Sequence, residues 1–426
     1  MSGLAFAQAP APGLPIRFLL TAQAWGIAAG LWLAWQGALV LLSRWTPATL
    51  VLVHLLALGM LGNAMLGSLV QFLPVAAGSP LPCARCVPWL HGVFNAGLVL
   101  LLATLAWQAR LLALPAAGLL GGSLVVLAAL ALVAVVRGRG ERVVRDGIAL
   151  ALLALVVTTA LGVVLLAART GWRAPTPAGL VDLHAVVGGA GWALGLLAAV
   201  GSVTLPMLQG THALPTAASR LWQASLLATL GVAAAAQAAW LPDVAWRIAA
   251  WPFAAFAIAV FVLHKRAPHR RNPMLRRFWQ AGGSALLLAT VTALYPGASG
   301  MLVGVLVLAI GLPLLVVGMA LEISAFLAWI ALRQRVQRGI RVPGVGSLFD
   351  DAGKRRALAL HLLAGGLLVA ALSWPPLVRL AGVAMAVAYA VSLQAQWRCW
   401  QQSWTWRADG PGGGTRTARD SLSSAG

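Results

Sequence analysis

Charge is what this sequence has least of. Of 426 residues only 9% are Asp, Glu, Lys or Arg, and just nine are acidic. An ordinary soluble domain carries about a quarter charged residues, so a water-soluble enzyme of this length is excluded. Carboxylates are too few and too scattered for a paired acid–base site. There is no phosphate-cradling glycine loop and no serine–histidine–carboxylate constellation. Cysteine is nearly as scarce, with three residues. One pair, Cys83-Ala-Arg-Cys86, is not followed directly by histidine, which excludes covalent haem attachment on pattern. No second pair exists to complete a four-ligand zinc site. Only two tyrosines occur, Tyr295 and Tyr389.

What fills the chain instead is hydrocarbon: 61% of residues are hydrophobic, and 46 are glycine. Long apolar runs of roughly 20 residues are membrane spans. Twelve can be marked: 16–43, 49–77, 88–109, 112–136, 147–168, 179–208, 220–241, 246–264, 278–296, 300–333, 356–374 and 377–400. Frequent glycine suits close helix packing in lipid, and the runs are too long for the strands of an outer-membrane barrel. The expected fold is all-α, a polytopic membrane bundle of about twelve transmembrane helices. Its expected organisation is an N-terminal segment 1–15, a transmembrane domain 16–400 and a disordered tail 401–426. The first apolar stretch lacks a basic start and is long enough to stay as a span rather than be cleaved.

The net charge of +21 is concentrated in three loops, 137–146, 264–277 and 333–356, which follow the fourth, eighth and tenth spans. Basic loops mark the cytoplasmic side. The expected location is therefore a bacterial inner membrane, with both termini in the cytoplasm. The same basic loops are read as topology markers, so no nucleic-acid partner is expected, and the lipid bilayer is the partner. Tryptophans near span ends, Trp45, Trp172, Trp240, Trp246 and Trp374 among them, read as interfacial anchors.

Against this apolar background four histidines stand out: His54, His91, His184 and His361. An ionisable ring in a span is costly and normally serves a partner or a metal. With the topology above, His54 and His184 lie about one turn below the outer face, and His91 and His361 lie in the inner half, giving two level pairs. All four are candidate metal ligands, and His54 with His184 is the candidate cofactor pair. Glu322 is the one carboxylate deep in a span. It is expected to pair with His361 or an inner arginine, or to relay protons. At about 100° per residue His184 shares a face with Gly188, Gly191 and Gly195. That face is either a groove clearing a flat macrocycle or a small-residue contact with another helix, and the sequence leaves both open. Asn95, one turn from His91, is expected at most to satisfy that ring. His212, His264 and His269 are expected to be solvated at basic edges. Cys83 and Cys86 read as incidental loop thiols, since a reducing cytoplasm disfavours a disulfide. Spans two and six echo each other, each histidine being followed five residues later by glycine (Gly59, Gly189) and each span ending at proline (Pro74, Pro206). A unit of four helices used three times would explain the echo.

Twelve spans with outer-side histidines on spans two and six resemble subunit I of the haem–copper oxidases. The local strings are more similar to a set of uncharacterised bacterial membrane proteins described as haem–copper oxidase subunit I-like. These strings are HLLALGMLGNAMLGSLVQFLPV from His54, HAVVGGAGWALGLLAAVGSVTLPMLQGT from His184 and EISAFLAWIALRQRVQRGIRVP from Glu322, with LHLLAG around His361. The resemblance runs from span two to span eleven. It implies that His54 ligates a low-spin haem. The departures are as informative. The family's crosslinking tyrosine position is Gly188, span seven lacks the histidine pair, and span ten lacks His-x-His. Copper is therefore not expected, nor is a proton-pumping oxidase. What the resemblance implies is b-type haem held by His54 and His184, serving electron transfer or a response to nitric oxide or oxygen, with respiratory or nitric-oxide-response membrane partners. The alternatives are a transporter or permease working through Glu322, His91 and His361, and a cofactor-free assembly factor. Whether the chain is an enzyme stays open.

Overall fold

The computed structural model describes residues 10–407, apart from 239, 242, 270, 296, 298, 338 and 339. Among the described residues there is no strand, and twelve long helical rods carry the chain. They are α1 (Gly13–Gln36), α2 (Pro47–Ala77), α3 (Ala84–Trp107), α4 (Arg110–Arg137), α5 (Arg142–Arg169) and α6 (Ala178–Gln209). Then follow α7 (Thr216–Gln237), α8 (Arg247–Lys265), α9 (Pro273–Leu294), α10 (Gly300–Arg335), α11 (Asp351–Ala371) and α12 (Leu377–Thr405). Nine rods among the described residues are long and apolar enough to cross a membrane; α7, α9 and α11 fall outside that group. They have the length but more polar ends: α9 opens with Arg276 and Arg277, and α11 with Asp351, Lys354, Arg355 and Arg356.

Some expected boundaries move. Asp350 caps α11, accepting from the Gly353 amide at 2.9 Å, so the helix begins five residues before the apolar run at 356 and takes Lys354 into its first turn. An Asp cap of this kind satisfies an otherwise orphan amide. At the C-terminus α12 continues to Thr405, past the expected start of the tail; residues 408–426 of that tail and 1–9 of the N-terminal segment lie outside the described residues.

Every fourth rod has an unusual build. The helices α2, α6 and α10 each contain a long π-helical stretch, Leu55–Gly62, Val187–Leu194 and Val305–Gly311; α4 has a shorter one, Ala117–Gly121. In a π turn the ladder loses its usual register, and such bulges concentrate at functional sites. In α2 the Asn63 amide donates to the Gly59 carbonyl at 2.8 Å, satisfying a backbone group inside the π stretch. Pro74 follows Gly62 at the same spacing as Pro206 follows Leu194, and both rods end on a left-handed glycine, Gly78 (φ 67°) and Gly210 (φ 68°).

The loop ends repeat too. The Gly140 amide, just beyond α4, donates to the Ala77 carbonyl at the end of α2 at 2.7 Å. Arg271, beyond α8, donates its amide to the Gln209 carbonyl at the end of α6 at 3.5 Å. Arg335, ending α10, donates to the Trp404 and Trp406 carbonyls at the end of α12 at 2.7 and 2.6 Å. Thus α2 meets α4, α6 meets α8 and α10 meets α12, all at the basic end of the molecule. The four-helix echo in the sequence acquires structural support from these junctions, two made by backbone amides and the third by an arginine side chain.

A small cavity of about 40 Å³ lies where α2, α6, α9 and α10 converge, bounded by Met65, Leu197, Trp279 and Met319 among others. The ring of helices closes through α1 and α12. Gly30 and Gly382 sit in direct backbone contact there, and Gly26 lies against the ring of Tyr389. Only a missing side chain permits so close a crossing.

Candidate functional site

His54 and His184 sit toward the end of the bundle opposite the basic loops, each at the entrance to a π stretch. The His54 Nδ1–H donates to the Leu50 carbonyl at 2.7 Å, one turn back in its own helix. The His184 Nδ1–H donates to the Thr158 carbonyl of α5 at 3.1 Å. A carbonyl only accepts, so in both rings the proton is on Nδ1 and the Nε2 lone pair is free. Neither Nε2 makes a hydrogen bond, and neither is sealed in by protein. This is how metal-ligating histidines are normally held, one nitrogen fixed by a carbonyl and the other presented. Gly162 of α5 makes room for the His184 ring, since a Cβ there would meet its Cε1 at 3.2 Å.

A clamp outside the pair was not visible in the sequence. Arg44, in the turn before α2, forms an ion pair with Asp182, two residues before His184. Its second guanidinium nitrogen donates to the other carboxylate oxygen at 3.3 Å. The fork fixes the mouth of α2 against the mouth of α6, the two rods that carry the rings.

The glycine face beside His184 turns out to be packing. Gly188 faces Thr158, Gly191 faces Ala154 and Leu230, and Gly195 faces Leu226 and Ala151, all at contact distance for an added Cβ. The stripe therefore seats α6 on α5 and α7 and is itself no clearance for a macrocycle, which would have to lie on another side of the ring. In α2, Gly59 and Gly67 pack on Trp25 and Phe18 of α1.

The other two histidines are held elsewhere. The His91 ring meets Phe18 of α1 at 4.3 Å with the planes tilted by 59°, and its Nε2 is buried with no partner. Asn95 does not serve that ring: its amide nitrogen donates to the His91 carbonyl at 2.8 Å, while its oxygen accepts from Trp25 at 2.6 Å and Asn63 at 3.1 Å. This knot ties α1, α2 and α3. His361 donates Nε2–H to Ser392 of α12 at 3.1 Å and meets Tyr389 edge-on at 4.7 Å. Because Phe18 marks the level of His91 and Gly26 that of Tyr389 along α1, His361 lies about 12 Å deeper at 1.5 Å rise per residue. The expected inner pair is not level. Among the described residues no group of three or more His, Cys, Asp or Glu comes together, so the four rings form no common centre.

Glu322 also finds a different partner. Its carboxylate pairs with Lys354 at 2.6 Å, with the two side chains only 9% and 6% exposed, rather than with His361 or an arginine. Lys354 had read as one more basic loop residue; its place in the first turn of α11 carries it inward. His264, expected at a wet edge, is buried, its Nε2 2.6 Å from the Gln209 side-chain oxygen; His212 and His269 are exposed. Cys83 and Cys86 are joined in a disulfide, against expectation. The one-turn 3₁₀ helix Ala84–Cys86 brings their Cα atoms to 5.4 Å, inside bridging range. Trp45, Trp172, Trp240 and Trp374 are exposed, as interfacial anchors would be; the side chain of Trp246 lies outside the described residues.

No protein-family model matches this chain, and no curated protein sequence matches it.

Proposed function

We propose that this chain is a twelve-helix protein of the bacterial inner membrane, with its basic loops and both termini in the cytoplasm, and that it binds b-type haem through His54 and His184. The task that follows is electron transfer, or a response to nitric oxide or oxygen, rather than proton-pumping oxygen reduction. The observation that carries the reading is the matched state of the two rings: each Nδ1–H bonded to a main-chain carbonyl, each Nε2 free, the rods that bear them clamped by Arg44 and Asp182. Nine apolar helices and the loop arginines support the membrane setting.

The donor set fits a haem iron, since both Nε2 lone pairs are free and neutral imidazole is a common haem ligand. When bound, haem would supply a one-electron couple tuned by those ligands and by the burial around them. The chain's own contribution is to fix both tautomers and to clamp the rods that bear the rings. Were both imidazoles to hold the iron, electron transfer would be favoured over gas binding. Copper has no place in the proposal, because an oxidase-type copper wants three histidines together and the four candidate rings form no such group.

The test is an optical spectrum of the purified protein from haem-replete cells, oxidised and reduced. A Soret band of bis-imidazole type is expected, lost in His54→Ala and in His184→Ala but retained in His91→Ala. A colourless, folded preparation would overturn the reading.

A further inference from the structure

The basal half of α12 carries a polar line that no histidine argument uses. Ser392, Gln396, Cys399 and Ser403 recur at helical spacing on one face, and all four are buried. Both side-chain amide atoms of Gln396 are enclosed without a protein partner, and so are both of Gln23 on α1. The register of α1 on α12, Gly26 at Tyr389 and Gly30 at Ala386, sets Gln23 near the level of Ser392. Four enclosed amide atoms left dry would each lose its hydration with nothing in return. Buried polar groups of this kind are satisfied by internal water.

Both ends of the line are chemically defined. At the basic rim Asp351 is half exposed and 3.9 Å from Lys354, which in turn holds Glu322 at 2.6 Å. The His361–Ser392 contact between antiparallel neighbours sets Lys354, seven residues before His361, at the level of Cys399, seven residues beyond Ser392. At the deep end Ser392 gives its hydroxyl proton to the Ala388 carbonyl at 2.9 Å, so it accepts from the His361 Nε2–H. The proton of His361 is therefore on Nε2, and its Nδ1 lone pair is open. Arg335, at the end of α10, is engaged by the Trp404 and Trp406 carbonyls, and the Asp350 carboxylate by the Gly353 amide.

We propose that a hydrated proton-access path runs from Asp351 past the Lys354–Glu322 pair and along Cys399, Gln396 and Ser392 to His361, entering from the basic face and stopping inside the bundle. A proton delivered by a hydronium ion at the basic face, which is left as water, would pass along the water chain by breaking and re-forming one O–H bond at each step, and would end as the N–H bond formed at the His361 Nδ1 lone pair, leaving an imidazolium. The path is independent of any cofactor at His54 and His184.

Brief hydroxyl-radical labelling of the full chain in nanodiscs, read by mass spectrometry, tests it, because radicals formed from bound water mark the side chains beside them. Cys399 and Tyr389 should be labelled although buried, while Met60, equally enclosed among apolar groups, should not. In Gln396→Leu the Tyr389 label should vanish and the Cys399 label persist. Deuterium exchange at the His361 imidazole C2–H, which proceeds through the protonated ring, should occur in the native chain and be lost in the same variant. Cys399 and Tyr389 as silent as Met60 would overturn the path, as would a Tyr389 label indifferent to Gln396→Leu. Labelling without exchange at His361 would show sealed water and overturn it equally.

Discussion

Single side chains in this bundle are consequential because few of them are polar. Lys354 and Glu322 form a buried pair, and removing one partner strands the other's charge. Lys354→Met alone is expected to destabilise by about 3–5 kcal/mol, whereas Lys354→Met with Glu322→Leu recovers most of that loss. Thermal unfolding of the purified single and double variants checks it; equal damage in both would show that the pair is not the source. Arg44→Ala, by contrast, opens a half-exposed clamp and should cost no more than about 1 kcal/mol. Its effect belongs on the optical signature of the His54–His184 pair rather than on the melting curve. At this scale the sequence was partly legible. An imidazole in hydrocarbon announces itself, so His54 and His184 stood out. Lys354 did not, because it is written inside a run of loop cations, and only the Asp350 cap carries it into the helix and inward. The line Ser392, Gln396, Cys399, Ser403 was equally silent: small polar groups scarcely dent the hydropathy of a span, and whether they face lipid or protein is decided by the neighbour.

At the scale of the element, two devices shape the rods. One is the π stretch. Deleting Ala57 from Leu55–Gly62 removes one residue of the excess, so the stretch can close to the α-helical pitch with both flanks in place. His54 should then still face His184, and the paired-imidazole spectrum should persist with membrane insertion, scored by fractionation, retained. A lost spectrum in a membrane-inserted chain would mean that the wide turn itself aims the ring. The other device is glycine at crossings. Gly30→Ile or Gly382→Ile drives a side chain into facing backbone and should cost about 1–3 kcal/mol or more as overpacking. Gly231→Ala, where nothing lies within 4 Å, should be neutral or slightly stabilising, as helix propensity predicts; detergent melting curves separate the two cases. Hydropathy located nearly all the rods, since a span needs only length and grease. It had no access to the π stretches, which arise from packing against neighbours. It also could not choose between groove and contact for Gly191 and Gly195, because a glycine face reads the same in both.

For the whole molecule, the repeated pairing of α2 with α4, α6 with α8 and α10 with α12 at one end ties the three basic loops to a common face. Single cysteines placed in 137–146, 264–277 and 333–356, in a chain without native cysteines, should resist an impermeant thiol reagent in intact spheroplasts and react after lysis. Reaction in intact spheroplasts would reverse the orientation. The twofold echo of histidine, glycine and proline was readable in the letters of spans two and six. The expected third use of the unit shows in α10 as a π stretch and a junction without a histidine.

The backbone embrace of α1 and α12 also has a bearing on biogenesis. Of the twelve rods, the first to emerge from the ribosome must wait for the last before its glycine seam finds a mate. Until then Gly26 and Gly30 line an open flank, available to lipid, to a chaperone or to a protease. A nascent chain stalled one helix short should therefore be recognised as unfinished, however well its other rods have docked.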